Sequence, residues 1–168
     1  MTDLVIAVDG IRRGRGGPFV AAAVAFHEPR AEPRFHFVDG RGVRREAYLF
    51  RRPELVKEHQ VRPLAVYIRR ETLGVAAYCL NKTKAPKNAD EARLLSMFWA
   101  VKKLADRLRH HHGGEELRDK TLRLLVGGPH LLNTRHFEKI AQHTCMTSAD
   151  WRLQVAQFTA YTAFPELT

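Results

Sequence analysis

Two apolar runs near the N-terminus constrain the fold most. Leu4-Val5-Ile6-Ala7-Val8 is a short, largely branched run closed by Asp9-Gly10, and Phe19 to Phe26 is a second. The turn between them, Ile11-Arg12-Arg13-Gly14-Arg15-Gly16-Gly17-Pro18, is rich in Arg and Gly. Short apolar runs bounded by turn residues read as buried strands, here the two arms of a hairpin. Arg34-Phe35-His36-Phe37-Val38 alternates polar and apolar, as a half-exposed third strand does. Leu64 to Ile68, Val75 to Leu80 and Leu122 to Val126 read as further strands, the last closed by Gly127-Gly128-Pro129. Between residues 41 and 62 the chain is charged, and any helix around Ala47-Tyr48-Leu49-Phe50 and Leu55-Val56 is limited by Pro53.

The helical signals come later. Asn88 suits an N-cap, and Glu91 three residues on completes a capping-box pattern. Leu94, Phe98, Val101, Ala105 and Leu108 follow at spacings of four and three, the apolar stripe of an amphipathic helix. Lys102, Lys103, Arg107 and Arg109 fall away from that stripe, and Gly113-Gly114 ends the helix. Asn133 or Thr134 begins a short helix running to Ala141, and Ala149 to Ala163 reads as a last helix with Trp151, Val155, Phe158 and Thr162 inward. Strands first, then helix, strand, helix and helix imply an α/β fold, a mixed sheet with helices on its faces. At 168 residues the expectation is one domain spanning 1–168.

The charge balance bears on partners. Lys and Arg number 28 against 18 Asp and Glu, a net charge of +10. Such an excess attracts polyanions, of which nucleic acid is the commonest, through contacts that weaken with salt. No basic amphipathic helix or apolar run of spanning length suggests a membrane. The start MTDLVIAVDG lacks the basic n-region of a signal peptide, and the two isolated cysteines, Cys79 and Cys145, form no zinc or disulfide pattern. A reduced, cytoplasmic chain is expected. His110-His111-His112 does not read as a metal site, because adjacent residues on a helix point in different directions.

Asp9 is the first candidate for chemistry. An acid at the end of a central strand points into the cleft where α/β sheets place their sites, although Asp-Gly also serves as a simple turn cap. The segment Val8-Asp9-Gly10-Ile11-Arg12-Arg13-Gly14-Arg15-Gly16-Gly17-Pro18-Phe19-Val20-Ala21-Ala22-Ala23-Val24 resembles the opening of the type 2 ribonuclease H family. That family has a strand ending Asp-Glu-Ala-Gly-Arg-Gly, then Gly-Pro-x-Val-Ala-Ala-Ala-Val, and the match needs a one-residue deletion in the turn. Leu124-Leu125-Val126-Gly127-Gly128 and Leu153-Gln154-Val155-Ala156-Gln157 echo later family segments more weakly. The resemblance implies a ribonuclease-H-like mixed sheet with helices on both faces. It implies nuclease chemistry with Mg²⁺ or Mn²⁺ if the domain is active, and Asp9 as a metal-binding acid.

The departures weigh against full activity. Gly10, Gly127 and Gln157 stand where members of the superfamily carry acids. Two divalent ions need several anionic oxygens around them. The replacements on offer are Asp90 or Glu91 at the start of the long helix and Asp150 near the last one, positions that capping and the helix dipole also favour. The candidate catalytic set is therefore Asp9, Glu91 and Asp150. Arg12, Arg13, Gly14 and Arg15 of the turn, with Lys82 and Lys84 of a second basic loop that also holds Lys87, are the candidate phosphate contacts. Arg41, Arg44, Arg45, Arg51 and Arg52 form a third basic cluster. Three readings stand. One is a degenerate domain binding an RNA or DNA backbone with weak or no cleavage. The others are an active two-metal nuclease with relocated carboxylates and a protein-interaction subunit of a nucleoprotein assembly.

Overall fold

The computed structural model describes residues 4–12, 18–28, 36–38, 41–46, 58–81, 87–111, 122–128, 137, 143–146 and 150–162. In chain order these form β1 (Leu4–Arg12), β2 (Phe19–His27), β3 (His36–Val38), β4 (Arg44–Glu46) and α1 (Glu58–Glu71). They continue with β5 (Gly74–Leu80), α2 (Ala89–His111), β6 (Leu122–Val126), β7 (His143–Met146) and α3 (Trp151–Thr162).

The main sheet has the order β5-β2-β1-β6-β7. β1 pairs antiparallel with β2, from Leu4 opposite His27 to Arg12 opposite Phe19, and β5 pairs antiparallel with the far side of β2. On the other side β6 runs parallel to β1, and β7 parallel to β6. β1 is thus an interior strand with neighbours on both sides, as its apolar run anticipates.

Both faces of the sheet are covered. Leu4, Ile6 and Val8 of β1, with Ala21, Ala23 and Ala25 of β2, pack under Met97, Ala100, Val101, Leu104 and Leu108 of α2. Val5 and Ala7, with Val24 and Phe26, face the other way, against Leu64, Ala65, Tyr67 and Ile68 of α1 and Leu153, Val155, Ala156 and Phe158 of α3. Alternate residues of a strand point to opposite faces, so a strand covered twice must be apolar throughout. Burying a side chain such as Ile6 or Phe158 fully contributes about 1.5–3 kcal/mol each. Alanines on β2 let the layers approach, as where Ala22 meets Ala77 and Ala160.

Some sequence expectations need correction. Residues 64–68 are not a strand but the middle of α1. Val61, Leu64, Ala65, Tyr67 and Ile68 are buried while Arg62, Val66, Arg69 and Arg70 are exposed, a helical rather than alternating pattern. The compact apolar run masks that period, and Pro63 inside the helix discourages a helical reading. His36–Val38 pairs with β4 in a separate two-stranded sheet. β7, only four residues long and half polar, gives no strand signal in the sequence. The helix around Ala47 and the capped start of the helix before Ala141 lie outside the described residues.

The long helix follows its signals more closely. Asn88 Oδ1 accepts the N–H groups of Asp90 at 2.9 Å and Glu91 at 3.5 Å, capping α2. Its buried face runs through Ala92, Ser96, Met97, Ala100, Val101, Leu104, Ala105 and Leu108, turned slightly from the expected stripe. β5 is an edge strand. Two of its carbonyls are taken by side chains of α2: Arg107 Nη1 donates to Val75 at 2.9 Å, and Lys103 Nζ donates to Ala77 at 3.1 Å. Among the described residues no helix is long and apolar enough to cross a membrane.

Candidate functional site

The site is built where β1, β6 and α2 meet. The parallel ladder continues one step past β6, where the Gly127 N–H donates to the Val8 carbonyl at 2.9 Å. This sets Gly127 beside Asp9. A Cβ added to Gly127 would lie 2.7 Å from Asp9 Cγ and 2.9 Å from each carboxylate oxygen. The Asp9 side chain therefore rests on bare glycine backbone, an approach no larger residue permits.

The next residue brings in the helix. A Cβ on Gly10 would meet Met97 Cγ at 3.2 Å, Arg93 Cγ at 3.3 Å and Ser96 Oγ at 3.5 Å. α2 thus crosses close above Gly10 and reaches the acid with Arg93. Arg93 Nη2 donates to Asp9 Oδ1 at 2.7 Å, and the Gly10 N–H donates to the same oxygen at 2.8 Å. Asp9 is buried, with 8% of its surface exposed, while the Arg93 side chain keeps 26%. The Arg93 Nε is itself buried and has no hydrogen-bond partner. Burial pushes the Asp9 carboxyl above the ordinary carboxylate range. The Arg93 charge, the Arg93 hydrogen bond and the Gly10 N–H pull it the other way with less effect.

These residues do not fit a divalent cation. The resemblance in sequence implies Mg²⁺ or Mn²⁺ at Asp9, but a guanidinium already contacts its carboxylate. A divalent ion about 4 Å from a guanidinium is repelled by about 8 kcal/mol at an effective dielectric constant of about 20. Gly127 supplies no ligand, and among the described residues no three His, Cys, Asp or Glu side chains gather where they could hold a metal ion.

The other candidate acids sit elsewhere. Asp90 and Glu91 are exposed in the first turn of α2. The face of that helix that meets Gly10 carries Arg93, Ser96 and Met97 instead, and Arg93 reaches Asp9 from it. Residues two positions apart on a helix are separated by about 200° around its axis, so Glu91 and Arg93 point in different directions. Asp150 precedes α3, where its Oδ1 accepts the Arg152 N–H at 2.9 Å. Both its oxygens are 3.1 Å from Arg152 Nη1, and Arg152 also pairs with Glu28 and lies over Trp151.

Arg12 ends β1, exposed, with its guanidinium 5.7 Å from the centre of the Phe19 ring. Arg12 pairs with Phe19 and Phe19 with Leu80, so these residues line one end of the sheet, the end reached by Asp9. Lys87 is exposed just before α2. Arg13, Gly14, Arg15, Lys82 and Lys84 lie outside the described residues. Arg93 is the residue that sequence reasoning missed. Its signal is faint: a cation one turn into an amphipathic helix, flanking the buried Ala92 and Ser96.

No protein-family model and no curated protein matches the chain. A solved structure of LC11-RNase H1, isolated from compost by a metagenomic approach, is similar with a TM-score of 0.50. The match covers 97% of this chain and 96% of that one at 11% identity. At that identity the likeness speaks for the fold alone. Together with the mixed sheet and its helices on both faces, it makes this a ribonuclease-H-like α/β fold.

Proposed function

We propose that this chain is a degenerate ribonuclease-H-like domain that binds a nucleic-acid backbone and has little or no metal-dependent cleavage. The observation that carries the reading is the Asp9–Arg93 ion pair, with Asp9 lying on Gly127, which leaves this acid of β1 paired to a cation of the protein itself. The net charge of +10 supplies long-range attraction for a polyanion, and Arg12 stands at the same end of the sheet as that acid. The turn residues Arg13, Gly14 and Arg15 and the loop residues Lys82 and Lys84 extend this surface in the proposal.

Incubation with RNA, DNA and hybrid substrates in Mg²⁺ or Mn²⁺ tests it. The expected result is no cleavage above that of an Asp9→Ala control. Robust turnover abolished by Asp9→Ala would instead establish an Asp9-dependent nuclease, and the same assay on Asp90, Glu91 and Asp150 variants would show which of them joins it. Binding is read from the same substrates without metal. Affinity should fall steeply with salt, each phosphate contact adding about 0.7–0.9 to the logarithmic slope. A flat response would point to a protein partner for the basic surface.

A further inference from the structure

We propose that Arg93 replaces the metal at Asp9 and receives a backbone phosphate directly, turning a cation site into an anion site. This rests on the nucleic-acid reading above and names the residue that would touch the phosphate inside the cleft.

Three features support it. The first is charge. A phosphate is repelled by a cluster of bare carboxylates unless ions intervene, whereas a single acid already paired with a guanidinium has no net negative charge to oppose it. Arg93 sits 2.7 Å from the acid, on the helix that crosses directly above Gly10.

The second is donor capacity. A guanidinium carries five N–H donors in a planar fork suited to phosphate oxygens. Asp9 Oδ1 takes a donor from Nη2, while Nε is buried without an acceptor. A buried donor left unmade is costly, so a small reorientation onto an arriving oxygen is favourable. About a quarter of the Arg93 side chain remains exposed, so solvent reaches the residue although it does not reach Nε.

The third is rigidity. The Arg93 stem is packed against Gly10, and Asp9 is held in turn by the Gly10 N–H and pressed onto Gly127. Asp9 therefore acts as a positioning residue: it fixes the guanidinium and does not itself contact the ligand.

The experiment compares Asp9→Asn with the double variant Asp9→Asn/Arg93→Gln, so that neither protein carries a buried carboxylate stripped of its counter-ion. Each is checked for folding by thermal melting. Each is then titrated with a fluorescent single-stranded RNA, its DNA equivalent and the hybrid, in chelator, over a range of salt. Asp9→Asn should bind at least as well as the parent, because the Asn carbonyl oxygen still accepts from the guanidinium and keeps it in place while the opposing negative charge is gone. Adding Arg93→Gln should weaken binding roughly tenfold and lower the salt slope by about one phosphate contact. Equal affinities and slopes for the two variants would overturn the assignment of Arg93 while leaving the nucleic-acid reading intact. Absence of salt-dependent binding by the parent protein would overturn both.

A second arm reads the metal replacement without nucleic acid. The parent's melting temperature should not respond to millimolar Mn²⁺, because the guanidinium holds the carboxylate and no cluster of acids among the described residues joins it. A parent protein stabilised by Mn²⁺ would sink the replacement.

Discussion

Asp9 is held between a helix that approaches over Gly10 and a strand end that lacks a side chain at Gly127. This arrangement makes Gly127 the most sensitive small residue of the site. Gly127→Ala would place a methyl group 2.7 Å from Asp9 Cγ and displace the carboxylate from Arg93. The expected loss of stability is about 1–3 kcal/mol, measured as a lower midpoint of urea unfolding with an unchanged slope. The pH dependence follows from the raised pKa of Asp9. Between the ordinary carboxylate range and the raised folded value, the native state keeps a proton that the unfolded chain has released. The contribution of this group is thus fully present at low pH and declines as pH rises through that window. Melting curves of the parent and Asp9→Asn between pH ~3 and ~7 check the sign, and the parent should lose ground relative to the variant as pH increases. That Asp9 would lie on an interior strand was legible from the apolar run before it, although β1 runs on past it to Arg12. That Arg93 would meet it was not, because the meeting depends on how closely α2 crosses Gly10, which no local spacing encodes.

The elements differ in how openly the sequence declares them. β1 and β2 are evident because coverage on both faces makes them continuously apolar. The start of α2 is evident because a single side chain, Asn88, satisfies two otherwise orphaned N–H groups. Asn88→Ala should therefore cost about 1 kcal/mol, visible as a lower melting temperature. α1 hides its period within five consecutive apolar residues, and β7 is held by parallel pairing to β6 rather than by its own composition. The edge strand β5 carries a protection invisible in sequence. Lys103 and Arg107 of α2 bond its Ala77 and Val75 carbonyls, and burial, then Arg107, lowers the Lys103 pKa. Replacing both with Ala opens two acceptors along that edge. Light scattering should show greater concentration-dependent association, with little change in far-UV circular dichroism.

On the scale of the whole molecule, the sheet gathers charge at one end. β1 delivers Arg12 there, β5 ends there with Leu80 before the lysine-bearing loop, and α2 begins there after Lys87. The opposite face of the sheet is tied down by α3, where Arg152 joins Glu28 and Asp150 and lies 4.7 Å over the Trp151 ring. That network is remote in kind from the cleft, made of groups already matched to one another. Arg152→Ala should therefore lower stability by about 1–3 kcal/mol, since two partly buried acids lose the guanidinium they share, while the salt slope of the proposed polyanion binding changes little.

The bare backbone at Gly127 also sets the route by which a catalytic ion could be introduced at this site. Installing an acid there while the arginine remains would collide with the first acid, and removing the arginine first would strand a carboxylate in the interior. Each single step is worse than the starting point, so a protein engineer would have to exchange both positions at once, and the present pairing resists piecemeal change.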